Sequence, residues 1–364
     1  MKILFRTDAS LTIGTGHVMR CLTLARVLRD HGAEVSFACR LHPGNMVEML
    51  HAAGFPVHAL PLTDRIDAGG AQYAPWLGAQ WQEDADALAP RVDSGGPTWV
   101  IVDHYGLDQR FERVMADVGG KVMVIDDLAD RQHDCALLLD QTHGRIAQDY
   151  AGLVPPEAVL LCGSHHALLR PEFAAAASGS LDRRQSMPPP RRIMVTLGGV
   201  DADNVTGRVL DALDGLDLPP ECRIDVVLGA AAPWSAQITA RADAMRHVTL
   251  VHRDIADMAG LTSAADLAIG AAGSTAWERC CLGLPSLMVV IADNQKDIAQ
   301  ALDTEGAAIS LGSHHAADFV PRLRASVTTL LESPARLLAM THRAVSLVDG
   351  RGAERVAQAL LELS

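Results

Sequence analysis

Three glycine-bearing stretches carry the residues best able to do chemistry. GTGH at 14–17 sets Gly14, Thr15 and Gly16 directly before His17, and LGGVDADN at 197–204 contains Gly198 and Gly199. GAAGSTAWE at 270–278 joins Gly273, Ser274 and Thr275 to Glu278. A glycine turn feeding a helix exposes backbone N–H groups and lets an anion approach closely. Glycine is also the ordinary residue of a strand-to-helix turn, so each stretch alone reads first as a bare turn. No GxxxxGK[ST] phosphate loop occurs, and GTGHVM lacks the third glycine of a dinucleotide fingerprint. Glu278 stands three residues beyond Thr275 on the same helix face, which suits phosphates at the turn and a ribose diol on the carboxylate. A Ser/Thr cap with a capping-box Glu fits the same spacing. Asp293-Asn294-Gln295 likewise reads as helix capping or as amides for sugar hydroxyls and acetamido groups.

His17 opens a helix, where the dipole disfavours imidazolium, so it is a candidate for a neutral imidazole that takes a proton. Asp8 reads as an orienting carboxylate or as a loop cap. Asp103 and Tyr105 end an apolar run and are candidates to touch substrate. Asp126-Asp127 read as loop capping, because successive side chains at a strand end point apart. His165-His166 and His314-His315 are adjacent pairs without i,i+4 spacing, and no Cys/His zinc pattern occurs. No metal and no cofactor are expected.

The elements that must position these groups alternate short apolar runs with amphipathic segments. KILFR, EVSFACR, PVHAL, TWVIVDHYG and KVMVIDDL read as strands, with helices between them; HVMRCLTLARVLRDHG is the first, with Arg20, Arg26 and Arg29 on its outer face. Residues 62–79 read as a loop. Runs such as WVIV and VMVI suit strands covered on both faces, hence a parallel sheet between helices. SGSLDRRQSMPPPRR at 178–192 breaks the pattern and reads as a linker. RIMVTLGG then restarts the same grammar, and the tail from Phe319 reads as helical. The expected organisation is a first doubly wound α/β domain over 1–177, a linker over 178–192 and a second such domain over 193–364. The last helix is a candidate to return to the first domain, and the default ligand site is a cleft between domains at strand carboxyl ends.

A formal net charge of −13 argues against general binding to nucleic acid or anionic membrane, so any phosphate site must be local. The first residues contain no signal-peptide core, and no run reaches the roughly 18 apolar residues of a spanning helix, so no stable membrane insertion is expected. Seven scattered cysteines fit reduced thiols in the cytoplasm. A monomer is the expected state.

GSTAWE followed by LGLPSLMVVIADNQ resembles the donor half of the GT-B sugar-nucleotide fold, as in MurG glycosyltransferases. RTDASLTIGTGHVMRCLTLARVL, VDHYGLD at 102–108, VIDDLADRQHDC at 124–135, ALLRPEF at 167–173 and LGGVDADNVT at 197–206 resemble the PseG (SpsG-like) family more closely, in order along nearly the whole chain. The resemblance implies two Rossmann-like doubly wound domains in a GT-B arrangement with an interdomain cleft. It also implies a metal-independent hydrolase of pseudaminic acid biosynthesis that releases UDP from UDP-2,4-diacetamido-2,4,6-trideoxy-β-L-altropyranose with inversion at the anomeric carbon. By the same resemblance His17 is the general base, with Gly14, Thr15 and Gly16 beside the sugar. Glu278 is the ribose ligand, and Gly273, Ser274 and Thr275 line the diphosphate and uridine. Asn294 and Gln295 are sugar- or phosphate-side amides, and Gly198 and Gly199 lie near the phosphates. Two positions depart from the family pattern: Val200 offers no hydroxyl, and His166 stands where a tyrosine is usual. A MurG-like transferase, a hydrolysing UDP-sugar 2-epimerase and a non-catalytic sugar-nucleotide sensor are the alternatives.

Overall fold

A computed structural model describes residues 1–63, 72–93, 99–185, 190–229, 232–253 and 255–364. The chain forms two compact units: Met1–Leu168 with Arg351–Ser364, and Leu169–Gly350.

Among the described residues the first unit holds seven strands: β1 Lys2–Thr7, β2 Glu34–Arg40, β3 Val57–Leu60, β4 Trp99–Asp103, β5 Lys121–Ile125, β6 Leu137–Asp140 and β7 Val159–Cys162. They pair in the order β3-β2-β1-β4-β5-β6-β7, and every pairing is parallel. Alternate residues serve opposite faces, as the two-residue strand period requires. Ile3, Phe5, Ile101 and Met123 pack with the helices Gly16–Asp30 and Gly352–Glu362. Leu4, Val100, Val122 and Val124 pack with Leu88, Phe111 and Met115 on the other side. Covering both faces leaves no half-polar pattern, which is why these strands read as continuous apolar runs. The short runs LLLD and VLLC (β6 and β7) extend the sheet beyond the strands expected from sequence.

The second unit holds β8 Arg192–Thr196, β9 Arg223–Leu228, β10 Val248–Arg253, β11 Leu267–Ala271, β12 Ser286–Val290 and β13 Ala308–Ser313. Their order is β10-β9-β8-β11-β12-β13, again all parallel. In each sheet the order reverses once, at β1/β4 and at β8/β11. Ligands of open α/β sheets bind beyond the strand carboxyl ends at that reversal. Thr7 pairs with Asp103 and Thr196 with Gly270, so the glycine stretches found in the sequence leave the sheets at those two reversals.

The expected linker at 178–192 is corrected. Residues 178–185 belong to the helix Pro171–Gln185, while 186–189 lie outside the described residues, as do 64–71 of the expected loop at 62–79. The helix runs on because its polar residues dock it. Ser180 Oγ donates to Leu282 O at 2.7 Å, and the buried Arg184 donates to carbonyls of Leu282, Ala265 and Thr262. Among the described residues no helix is long and apolar enough to cross a membrane.

Candidate active site

In the first unit the reversal point carries a hydrogen-bonded cluster around His17. The turn after β1 is closed on itself. Ser10 Oγ accepts from Thr12 N and Ile13 N (3.1 and 2.8 Å), and Gly14 N donates to Ser10 O at 2.9 Å. Gly14 has φ +81°, a left-handed conformation that costs glycine little, so its role is to make this turn. The helix that follows starts at Gly16 with Thr15 at its cap, which makes His17 its second residue.

His17 is 9% exposed, and its Nδ1 lies 2.6 Å from Asp103 Oδ1 at the end of β4. Arg20, three residues along the same helix face, grips the same carboxylate from Nε and Nη2 (2.7 Å each) and reaches Asp127 Oδ2 with Nη1 at 2.6 Å. Burial alone would raise the Asp103 pKa, but the Arg20 guanidinium and then His17 hold it far below the usual carboxylate range. A carboxylate that stays ionised accepts from Nδ1–H, which leaves Nε2 of a neutral imidazole as the proton acceptor. Tyr105 packs against His17 with the two rings near perpendicular and their centroids 4.7 Å apart, and donates its hydroxyl to Asp127 at 2.7 Å. Burial, with Asp127 beside it, raises the Tyr105 pKa well above 10, so the phenol keeps its proton.

Three expectations change here. Asp103 is fully buried and also accepts from Cys21 Sγ (3.3 Å), so it holds His17 rather than meeting a substrate. Asp8, 1% exposed, is part of the frame. Its Oδ1 accepts from Arg40 N at 2.6 Å and pairs with Arg6 at 2.7 Å, while Oδ2 faces His104 Nε2 at 3.3 Å. Asp84 completes that frame by pairing with Arg6 and Arg40. Arg20, read from sequence as an outward residue, is 6% exposed. Its i,i+3 relation to His17 was the signal available. Asp126 and Asp127 take separate partners, Asp126 bonding Arg131 and Tyr150.

In the second unit the two glycine turns differ. Asp201 accepts from Val205 N and Thr206 N (2.9 Å each), and Asn204 Oδ1 accepts from Gly207 N. The amino end of the helix Val205–Asp214 is therefore already filled by side-chain oxygens of the chain itself. Gly198 and Gly199 could offer only their own backbone to a phosphate; a Cβ on Gly229 would stand 2.1 Å from Gly199 O.

The turn after β11 is not capped in that way. Neither Ser274 nor Thr275 makes a side-chain cap to the helix Thr275–Cys281, and Glu278 turns to Arg170 at 3.7 Å, so the capping-box reading does not hold. Burial pushes the Glu278 carboxyl up to about 7 against the pull of Arg170 and Arg279. Gln295 Oε1 accepts from Ile291 N at 3.2 Å, which directs its Nε2 to within 3.6 Å of where a Gly273 Cβ would be. The structure thus brings Gln295 to Gly273, and Asn294 lies beside it on the short 3-10 turn Asp293–Gln295. His166 Nδ1 lies 3.2 Å from Cys162 O, and Val200 is buried.

The His314-His315 pair gains a third neighbour, Asp203, with its Oδ2 3.5 Å from His314 Nε2. Asp203 and His315 are exposed, so their ligand atoms are hydrated rather than held ready.

Residues 193–359 match the glycosyltransferase family 28 C-terminal domain. Over 214 residues the chain is 28% identical to a UDP-2,4-diacetamido-2,4,6-trideoxy-beta-L-altropyranose hydrolase of Campylobacter jejuni, covering 58% of this chain and 66% of that protein. Over 203 residues it is 29% identical to the spore coat polysaccharide biosynthesis protein SpsG of Bacillus subtilis, covering 55% and 58%. Both matches span less than two thirds of the relative's own length. Among solved structures, MurG of Acinetobacter baumannii superimposes with a TM-score of 0.71 at 18% identity over 99% of each chain. The fold is the two-domain α/β fold of GT-B enzymes, and the chain resembles the PseG and SpsG proteins in sequence.

Proposed function

We propose that this chain is a UDP-sugar hydrolase that inverts the anomeric carbon, acting on UDP-2,4-diacetamido-2,4,6-trideoxy-β-L-altropyranose in pseudaminic acid biosynthesis. The observation that carries the reading is the His17–Asp103–Arg20 arrangement, which fixes the imidazole with Nδ1 as donor and Nε2 as acceptor. The likeness to the Campylobacter jejuni hydrolase supplies the substrate.

In this reading His17 Nε2 takes a proton from water as the water oxygen bonds to the anomeric carbon. The bond from that carbon to the β-phosphate oxygen breaks, and its electron pair leaves with UDP. Asp103 accepts the Nδ1–H bond throughout and stabilises the imidazolium that forms, as the carboxylate of a His–Asp pair does. UDP is a good leaving group, so its departure needs stabilised charge more than a strong acid. Backbone N–H groups of the turn at 272–275 and the Gln295 amide are assigned that part, and Glu278 the ribose hydroxyls.

The test is incubation with UDP-diacetamido-sugars, following the anomeric product by NMR. Free sugar of inverted configuration is expected from the native protein. His17→Phe should lower turnover roughly 10²–10⁴-fold, the range for a general base, with UDP affinity nearly unchanged. A fully active variant overturns the assignment. Product formed only with an added acceptor would identify a transferase, the reading favoured by the family 28 match. An epimerised free sugar would identify a 2-epimerase, and tight UDP binding without turnover a sensor.

A further inference from the structure

Arg279 is 2% exposed and lies beneath the turn that leaves β11. Its Nη2 donates to Ala271 O at 2.7 Å and its Nη1 to Thr275 Oγ1 at 3.1 Å, while among the described residues the buried Nε has no hydrogen-bond partner. Among the described residues no carboxylate pairs with it. β11 makes room for this side chain: a Cβ on Gly270 would stand 2.6 Å from Arg279 Nη1. Glycine weakens the interior of a strand, and where it occurs it often marks a close approach; here the group approaching is the guanidinium.

A second buried arginine shows what a settled site looks like. Arg184 is fully buried, but its donors meet carbonyls of Thr262 and Ala265 at the carboxyl end of the helix Met258–Ala264 and of Leu282 at the carboxyl end of the helix Thr275–Cys281. That end of a helix dipole is negative and suits a cation. Arg279 instead reaches Thr275, the first residue of its own helix, where the dipole is positive. Burial pulls its pKa down to about 10 against the opposing pull of Glu278, as it pulls Arg184 down to about 9, so what separates the two arginines is the set of partners they reach. A buried charge with no carboxylate in contact is unfavourable, and an anion placed on the turn above it would relieve that. The turn also has a donor from its other side, since Gln295 Nε2 is directed at Gly273.

We infer that Arg279 is the buried counter-charge of a phosphoryl group seated on the turn at 272–275, acting through Ala271 and Thr275 without touching the ligand. The identity of that group as part of UDP rests on the proposed function; the seat for a phosphoryl anion does not. Arg279 is a positioning residue in this scheme. It makes the turn selective for charge and contributes nothing to recognition of the nucleoside.

Calorimetric binding of UDP, inorganic pyrophosphate and uridine to the native protein and to Arg279→Met and Arg279→Lys tests this. Arg279→Met should weaken UDP and pyrophosphate roughly tenfold, as loss of one nearby charge predicts, and leave uridine within about twofold. Arg279→Lys should restore most of the loss. The ligand-free melting temperature of Arg279→Met should not fall, because a buried charge with no carboxylate in contact is removed. Equal weakening of UDP and uridine together with a lower melting temperature would make Arg279 a brace only and overturn the inference. Unchanged UDP affinity, or native protein that binds neither UDP nor pyrophosphate, would also overturn it. Arg279-dependent pyrophosphate binding without hydrolysis of any UDP-sugar would sustain the inference while the functional reading fails.

Discussion

Asp103 accepts hydrogen bonds from His17, Arg20 and Cys21, and this crowding fixes which nitrogen of His17 carries the proton. Replacing one oxygen by an amide reverses that instruction. Asp103→Asn can donate to Nδ1, which favours the tautomer with the proton on Nε2 and removes the base. UDP-sugar turnover should fall roughly 10²–10⁴-fold, with UDP affinity held within about threefold. His17 was legible in the sequence because glycines and a helix start surrounded it. Arg20 was not, because periodicity places an arginine outside unless a carboxylate waits for it. That carboxylate arrives from a strand 83 residues away in the sequence.

At the scale of elements, both sheets and their order of strands and helices follow from runs of apolar residues covered on both faces. β6 and β7 escaped notice because no α-helix separates either from the strand before it, so the strand–helix alternation that marked the equally short β3 is missing there. The linker expectation failed for the opposite reason. SGSLDRR has loop composition, yet Ser180 and Arg184 spend their polar atoms on neighbouring carbonyls and keep the helix docked. Close backbone approach is invisible in sequence. Gly229 passes Gly199 O so tightly that an added Cβ would meet a backbone atom at 2.1 Å. Gly229→Ala should lower the stability of the second unit by about 1–3 kcal/mol, the usual range for overpacking, measured by denaturant unfolding. It should displace the turn at 198–200 as well, visible as changed amide shifts there.

At the scale of the molecule, the first unit is discontinuous. Val356, Ala357 and Leu360 from the helix Gly352–Glu362 are fully buried in its core, and Trp99 Nε1 donates to Ser364 Oγ at 3.0 Å. Removing 351–364 should cost about 4–8 kcal/mol of apolar burial, comparable to the whole stability of a domain. Limited proteolysis should then degrade the first unit and spare Leu169–Gly350. Stability should also depend on pH through His133, whose Nδ1 meets Glu112 at 2.8 Å. Burial works against its charge, but Glu112 and Asp126 raise its pKa to about 9. The folded state therefore holds a proton that the unfolded chain releases near 6.5, so this stability is complete below about pH 6.5 and is lost as pH rises through 9. The melting temperature of the first unit should fall between pH 7 and 9.5, and His133→Gln should flatten that fall.

The return of residues 351–364 to the first unit also sets an order of events at the ribosome. Leu169–Gly350 is continuous and can close as soon as it has emerged, whereas Met1–Leu168 must wait for a helix made after it. At ordinary rates of synthesis the intervening residues take on the order of ten to forty seconds. Through that interval the helix Gly16–Asp30 lacks the helix Gly352–Glu362, whose Val356, Ala357 and Leu360 share its core. The half of the chain made first is finished last, and its nascent form is the one that needs protection.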